Sequence, residues 1–111
     1  MAKVNNLYKA TPYAVSKIIS SLGSNLKEAR LRRNLTIKSV AEKLGVDPKI
    51  IHSAESGKAS TGIAVYMALL WVYDLLDDAE NLANPLNDTV GLQLGEQKQR
   101  VRKRKVLSND F

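Results

Sequence analysis

The residues with chemistry to offer are few, and their types point away from catalysis. His52 is the only histidine and there is no cysteine. No glycine-rich run suits a phosphate cradle, and no pair of carboxylates stands in a recognisable catalytic setting. The sequence therefore reads as a non-enzyme, with no metal and no cofactor. The more telling set is Pro48, Lys49, His52 and Ser53. On a helix beginning at Pro48 these four share the face opposite Ile51 and Ala54. Lys49 can donate to guanine O6 and N7, and Ser53 can pair with several bases. Pro48 offers apolar contact alone, such as to a thymine methyl. His52 can donate or accept, and reads equally well as a solvent-facing residue. Around this face lie Lys38, Ser56, Lys58, Ser60 and Thr61, all able to donate to phosphate oxygens.

Such a face is useful only if the chain holds it rigidly, and residues 37–56 have the pattern that does so. Two short helices crossing around a tight turn need a small residue where they touch and a turn residue that accepts positive φ. Ala41 and Gly45 fill those places. Val40, Leu44, Val46, Ile51 and Ala54 supply apolar contacts from both helices, and Asp47 is placed to cap the second.

Other helices should flank this pair. Thr11 followed by Pro12 reads as an N-cap and a first-turn proline. Val15, Ile18, Ile19, Leu22, Leu26 and Ala29 then recur at helical spacing, predicting one helix over 12–33, with a break at Gly23 and Ser24 as the alternative. Thr36 caps a helix to Leu44, and Asp47 one that ends near Ser56 and Gly57. Ser60 or Thr61 caps a fourth helix to about Leu76, and Asp77 opens a short fifth before Asn84 and Pro85. Val90, Leu92 and Leu94 alternate, so a short strand within 86–95 is conceivable. Residues 97–105 lack a core-forming pattern and read as a flexible basic tail. The expected organisation is a leader over 1–10, a DNA-binding domain over 11–84 and an extension with a basic tail over 85–111. The fold class is all-α, a bundle of about five helices.

Composition agrees. Hydrophobic residues make up 44% of 111 residues, but aromatics only 5%, which favours aliphatic helix packing. The apolar run 63–76 is too short to span a bilayer and is interrupted by Asp74. It exceeds what capping a core needs, so Trp71 and Tyr73 are candidates for a subunit contact as well as for core packing. Absence of cysteine fits a cytoplasmic setting. The net charge of +6 suits a polyanionic partner. Residues 64–83 reverse the sign, with Asp74, Asp77, Asp78 and Glu80 and no basic residue.

The run 35–58 resembles the Xre/Cro-type repressor family and its lambda-repressor-like fold. That family shares a Leu-Ser/Thr-Gln, an alanine, a Gly-Val-Ser and a closing Glu-x-Gly. Here the matching residues are Leu35-Thr36-Ile37, Ala41, Gly45-Val46-Asp47 and Glu55-Ser56-Gly57. The resemblance implies a structural ion pair between Arg30 and Glu55. Ile37 departs from it, because the family's glutamine there makes a phosphate contact; Lys38 can replace that contact as a point charge. Segments 22–33, 62–70, 75–83 and 100–102 are also similar to HipB-like antitoxins. That resemblance implies a homodimer on double-stranded DNA at a palindromic operator, autoregulating a toxin–antitoxin operon and binding a HipA-type kinase toxin. Two alternatives stand beside it. One is a phage- or plasmid-type repressor without a toxin partner; the other is an interaction scaffold with weak DNA binding, which Ile37 and Pro48 favour.

Overall fold

The computed structural model describes residues 6, 7 and 9–109, with side chains as far as Arg104. These residues form five α-helices and two short 3-10 helices, with no strand among them. They divide between Leu76 and Asp77 into two compact units.

The first unit holds α1 (Tyr13–Arg32), α2 (Ile37–Leu44), α3 (Pro48–Glu55) and α4 (Ile63–Val72). Its core is Leu26, Ala29, Val40, Ala41, Ile51, Ala54, Tyr66, Leu69 and Tyr73, with Leu44 and Val46 packed at its edge. The helix starts have distinct causes. Thr36 and Ser39 exchange side-chain and backbone hydrogen bonds at the head of α2. Asp47 Oδ1 accepts from Lys49 N–H at 2.8 Å at the head of α3. Each satisfies a donor that the first helical turn would otherwise leave orphaned.

The ends of α1 and α4 share one device. After α1, Asn34 adopts φ 54° and Leu35 N–H returns to the Arg30 carbonyl at 3.2 Å. After α4, Asp74 adopts φ 58° and Leu75 N–H returns to Leu70 at 2.8 Å. A left-handed residue here turns the chain back so that late carbonyls find donors. It also explains why α4 stops at Val72 instead of reaching Leu76.

Several expectations are corrected. Pro12, not Thr11, is the N-cap of α1, and it makes no side-chain cap. The Thr11 hydroxyl donates instead to the Leu7 carbonyl at 2.8 Å. Gly62, not Ser60 or Thr61, is the N-cap of α4. The short fifth helix is a 3-10 helix, Leu76–Asn81. Of the leader expected over 1–10, residues 1–5 and 8 lie outside the described residues; Lys9 and Ala10 N–H donate to the Asn6 carbonyl.

The second unit overturns two readings at once. A 3-10 turn, Pro85–Asn87, leads into α5 (Thr89–Asn109), which replaces both the strand within 86–95 and the flexible tail. Asp88 starts it, its Oδ1 accepting from Gly91 N–H at 2.9 Å. Beyond it, leucine, glutamine, glutamate, lysine and arginine dominate, and all are good helix formers. Val90 and Leu94, read as alternating, are one helical turn apart on a common face.

Candidate nucleic-acid interface

Helix α3 is held on one side and open on the other. Ile51 and Ala54 are fully buried, and Glu55 is buried with them. Pro48, Lys49 and His52 are exposed, and Ser53 is half-buried. The apolar face is therefore anchored while the polar face stays free to meet a groove.

Three contacts set the pose of α3. The first is the pair between Arg30 of α1 and Glu55 of α3. Arg30 Nε donates to Glu55 Oε2 at 2.7 Å and a second guanidinium nitrogen donates to Oε1 at 3.1 Å. A further N–H of Arg30 reaches the Leu35 carbonyl at 2.9 Å, so all three guanidinium nitrogens are engaged. The hydrogen bond with Glu55 raises the guanidinium pKa above its ordinary value, outweighing the opposing effect of burial. This pair joins the helix that carries the core to the end of the helix that presents the polar face.

The second contact is the approach of α3's C-terminal turn to α1. A Cβ on Gly23 would lie 2.5 Å from the Ala54 carbonyl oxygen and 2.8 Å from Gly57 N. One on Gly57, itself at φ 69°, would lie 2.6 Å from Ser20 Cα. Backbone meets backbone here with no space for a side chain. This is why α1 carries a glycine at position 23 despite the helix-propensity cost. The third contact lies past α3, where the Tyr66 hydroxyl donates to the Lys58 carbonyl at 2.9 Å. It ties the loop bearing Lys58, Ser60 and Thr61 to α4.

The flanking donors distribute around this frame. Lys38 is exposed in the first turn of α2, which packs directly on α3. Ser56, Lys58 and Ser60 are exposed and Thr61 is half-buried, all in the segment joining α3 to α4. Two arginines near this frame are engaged within the first unit. Arg33 donates to the Ala29 and Tyr73 carbonyls at 2.9 and 2.8 Å and lies over the Tyr73 ring. Arg32 pairs with Glu28 on the surface. Of the two candidates for core packing or a subunit contact, Tyr73 is a core residue, whereas Trp71 is 61% exposed.

One residue escaped the sequence reading. Ile50 is 38% exposed beside Lys49, an apolar group on the open side of α3. No clear signal for it lies in the sequence, because on a helical wheel it stands about 100° from Lys49 but only about 40° from Ala54, at the border of the buried face.

Among the described residues the buried Tyr73 hydroxyl has no hydrogen-bond partner. Burial raises its pKa, Glu55 raises it further, and Arg30 and Arg33 oppose both. Among the described residues no helix is long and apolar enough to cross a membrane, and no group of His, Cys, Asp or Glu has metal-binding geometry.

Residues 26–74 match a family model described as helix-turn-helix. That span runs from the middle of α1 through the end of α4, so it contains both the crossing pair and the Arg30–Glu55 bond. Comparison with curated proteins and with solved structures returned no significant match.

Proposed function

Proceeding from a helix-turn-helix domain over residues 26–74, we propose that this chain is a sequence-specific DNA-binding transcription regulator. The observation that carries the reading is the split character of α3. One face is locked into the core by Ile51, Ala54 and the Arg30–Glu55 pair, and the other presents Pro48, Lys49, His52 and Ser53 to solvent. A short helix held this way enters the major groove and reads base edges from its first turns. Lys49 donates to guanine, Ser53 and His52 read adjacent bases, and Pro48 makes apolar contact. Lys38, Ser56, Lys58, Ser60 and Thr61 hold the phosphates and set the register.

One such domain reads few base pairs, so the regulator acts as a homodimer on a palindromic operator and represses from it. The HipB-like segments extend the reading to an antitoxin in the cytoplasm that represses its own operon and binds a HipA-type kinase toxin. Nothing in the site calls for an enzymatic step.

The test is binding of the full chain to the duplex upstream of its own gene and to a scrambled duplex, across a salt series. Selective binding that persists at physiological salt is expected. Equal, weak binding to both duplexes that salt erases would overturn the reading. Co-purification with an adjacent kinase tests the toxin partner separately.

A further inference from the structure

Helix α5 carries an apolar seam that none of the described residues covers. Val90, Leu94 and Val101 are 65%, 54% and 51% exposed, and with Gln97 they follow a spacing of four, three and four residues. That spacing is a seam along one side of a helix. Basic residues border it on both flanks. Lys98 and Arg102 line a shallow hollow with Leu94, Gln97 and Val101, and the helical wheel puts Arg100 on the opposite flank. Glu96 is the only acidic residue of the helix.

This arrangement argues against two simple occupants. DNA phosphates would use the charges but leave the aliphatic seam in water. A second α5 laid along the first would cover the seam but set Lys98 and Arg100 beside their own copies, and like charges in those flanking positions repel. The seam calls for a surface that is apolar and acidic together.

The chain contains such a surface. The 3-10 helix Leu76–Asn81 presents Asp77, Asp78 and Glu80 to solvent, and Leu82, which follows it, is 67% exposed. No basic residue lies between Asp77 and Leu82. Within one copy neither surface covers the other, because the leucine and the seam of α5 both remain open.

We propose that α5 is an exchange arm: it docks on the acidic Asp77–Leu82 turn of a second copy of this chain, and the second copy returns the contact. Leu94 of the seam meets Leu82, while Lys98, Arg100 and Arg102 meet Asp77, Asp78 and Glu80. The contact is reciprocal, so it closes at two subunits. It supplies the subunit contact that the homodimer reading requires and rests on that reading, but it does not depend on DNA binding.

The experiment is sedimentation velocity of the full chain without DNA, at micromolar concentration. Two variants are compared: Lys98→Glu with Arg102→Glu on the arm, and Asp77→Lys with Asp78→Lys on the turn. All four positions are exposed, and circular dichroism confirms the helical content of each variant. The wild type is expected to run as a dimer, and each variant to dimerise at least tenfold more weakly. An equimolar mixture of the two variants is expected to regain the dimer, because both contacts of the mixed pair are again opposite in charge. If the mixture stays monomeric, there is no exchange between copies. If the wild type is monomeric, or all forms stay dimeric, the proposal is overturned; in the second case Trp71→Asp locates the contact on α4. If the arm variant loses DNA affinity with its mass unchanged, α5 serves phosphates and the proposal fails. Operator binding measured in parallel separates these outcomes from failure of the regulator reading.

Discussion

Replacing Gly23 with alanine tests whether the approach of α1 to α3 sets the pose of the recognition helix. Helix propensity alone predicts stabilisation, because alanine is favoured over glycine in a helix interior by about 1 kcal/mol. Geometry predicts the reverse. The added methyl would stand 2.5 Å from the Ala54 carbonyl oxygen and 2.8 Å from both the Glu55 oxygen and Gly57 N. These are backbone atoms, and a rotamer change cannot move them aside. Overpacking of this kind costs about 1–3 kcal/mol. With rigid neighbours the upper end applies, leaving a net loss of about 2 kcal/mol after the propensity gain. For a domain of this size that lowers Tm by about 8–16 °C. Thermal unfolding followed by circular dichroism measures it, with Ser24→Ala as the control, since that exposed neighbour feels propensity alone. Operator affinity measured well below Tm should fall as well, because relief of the clash moves the end of α3. An unchanged or raised Tm for Gly23→Ala would refute the reasoning.

Three further outcomes follow from the same geometry. Arg30→Met leaves Glu55 buried and unpaired and should cost about 3–5 kcal/mol, with Arg30→Met/Glu55→Leu costing less than the two single changes together; urea unfolding of the cycle checks this, and simple additivity would count against coupling. Tyr73 has a raised pKa in the folded state, so the unfolded chain loses that proton first and stability falls as pH climbs past about 10. Tyr73→Phe should flatten part of that alkaline fall, with stability at pH 7 unchanged or slightly higher because an unpartnered hydroxyl is removed; a stability–pH profile decides. Lys49→Ala should cost about 1–3 kcal/mol in specific binding and relax one base preference, whereas Lys38→Ala should weaken all duplexes alike and reduce the salt slope. Identical behaviour of the two variants in competition titrations would remove the distinction between base and phosphate roles.

Much of the first unit was legible because its signals are local. Thr36 and Asp47 cap helices through hydrogen bonds that span two or three residues, and Gly45 takes its positive φ within the turn itself. The core positions Val40, Ala41, Ile51 and Ala54 follow from helical period. Readings failed where a local preference met a competing contact. Thr11 is a good cap by type, yet its hydroxyl finds the Leu7 carbonyl instead. Within α5, residues 97–105 offered few apolar positions, and this run of mostly charged and amide side chains was read as a tail because no core pattern supported it.

What the sequence determined by itself is therefore the helix-turn-helix pair and the residues on its open face, because spacing along a helix dictates which side each side chain takes. Tertiary structure alone decided the rest. Arg33 became a structural donor because the turn after α4 carries the Tyr73 carbonyl back to it, forty positions along the chain. Gly23 acquired its meaning only when the end of α3 came to rest against it. Tyr73 and Trp71, equivalent by composition, parted company because a left-handed residue at Asp74 ends α4 with one ring in the core and the other in water. These contacts join residues far apart in sequence, and nothing in the local pattern specifies the distance between them.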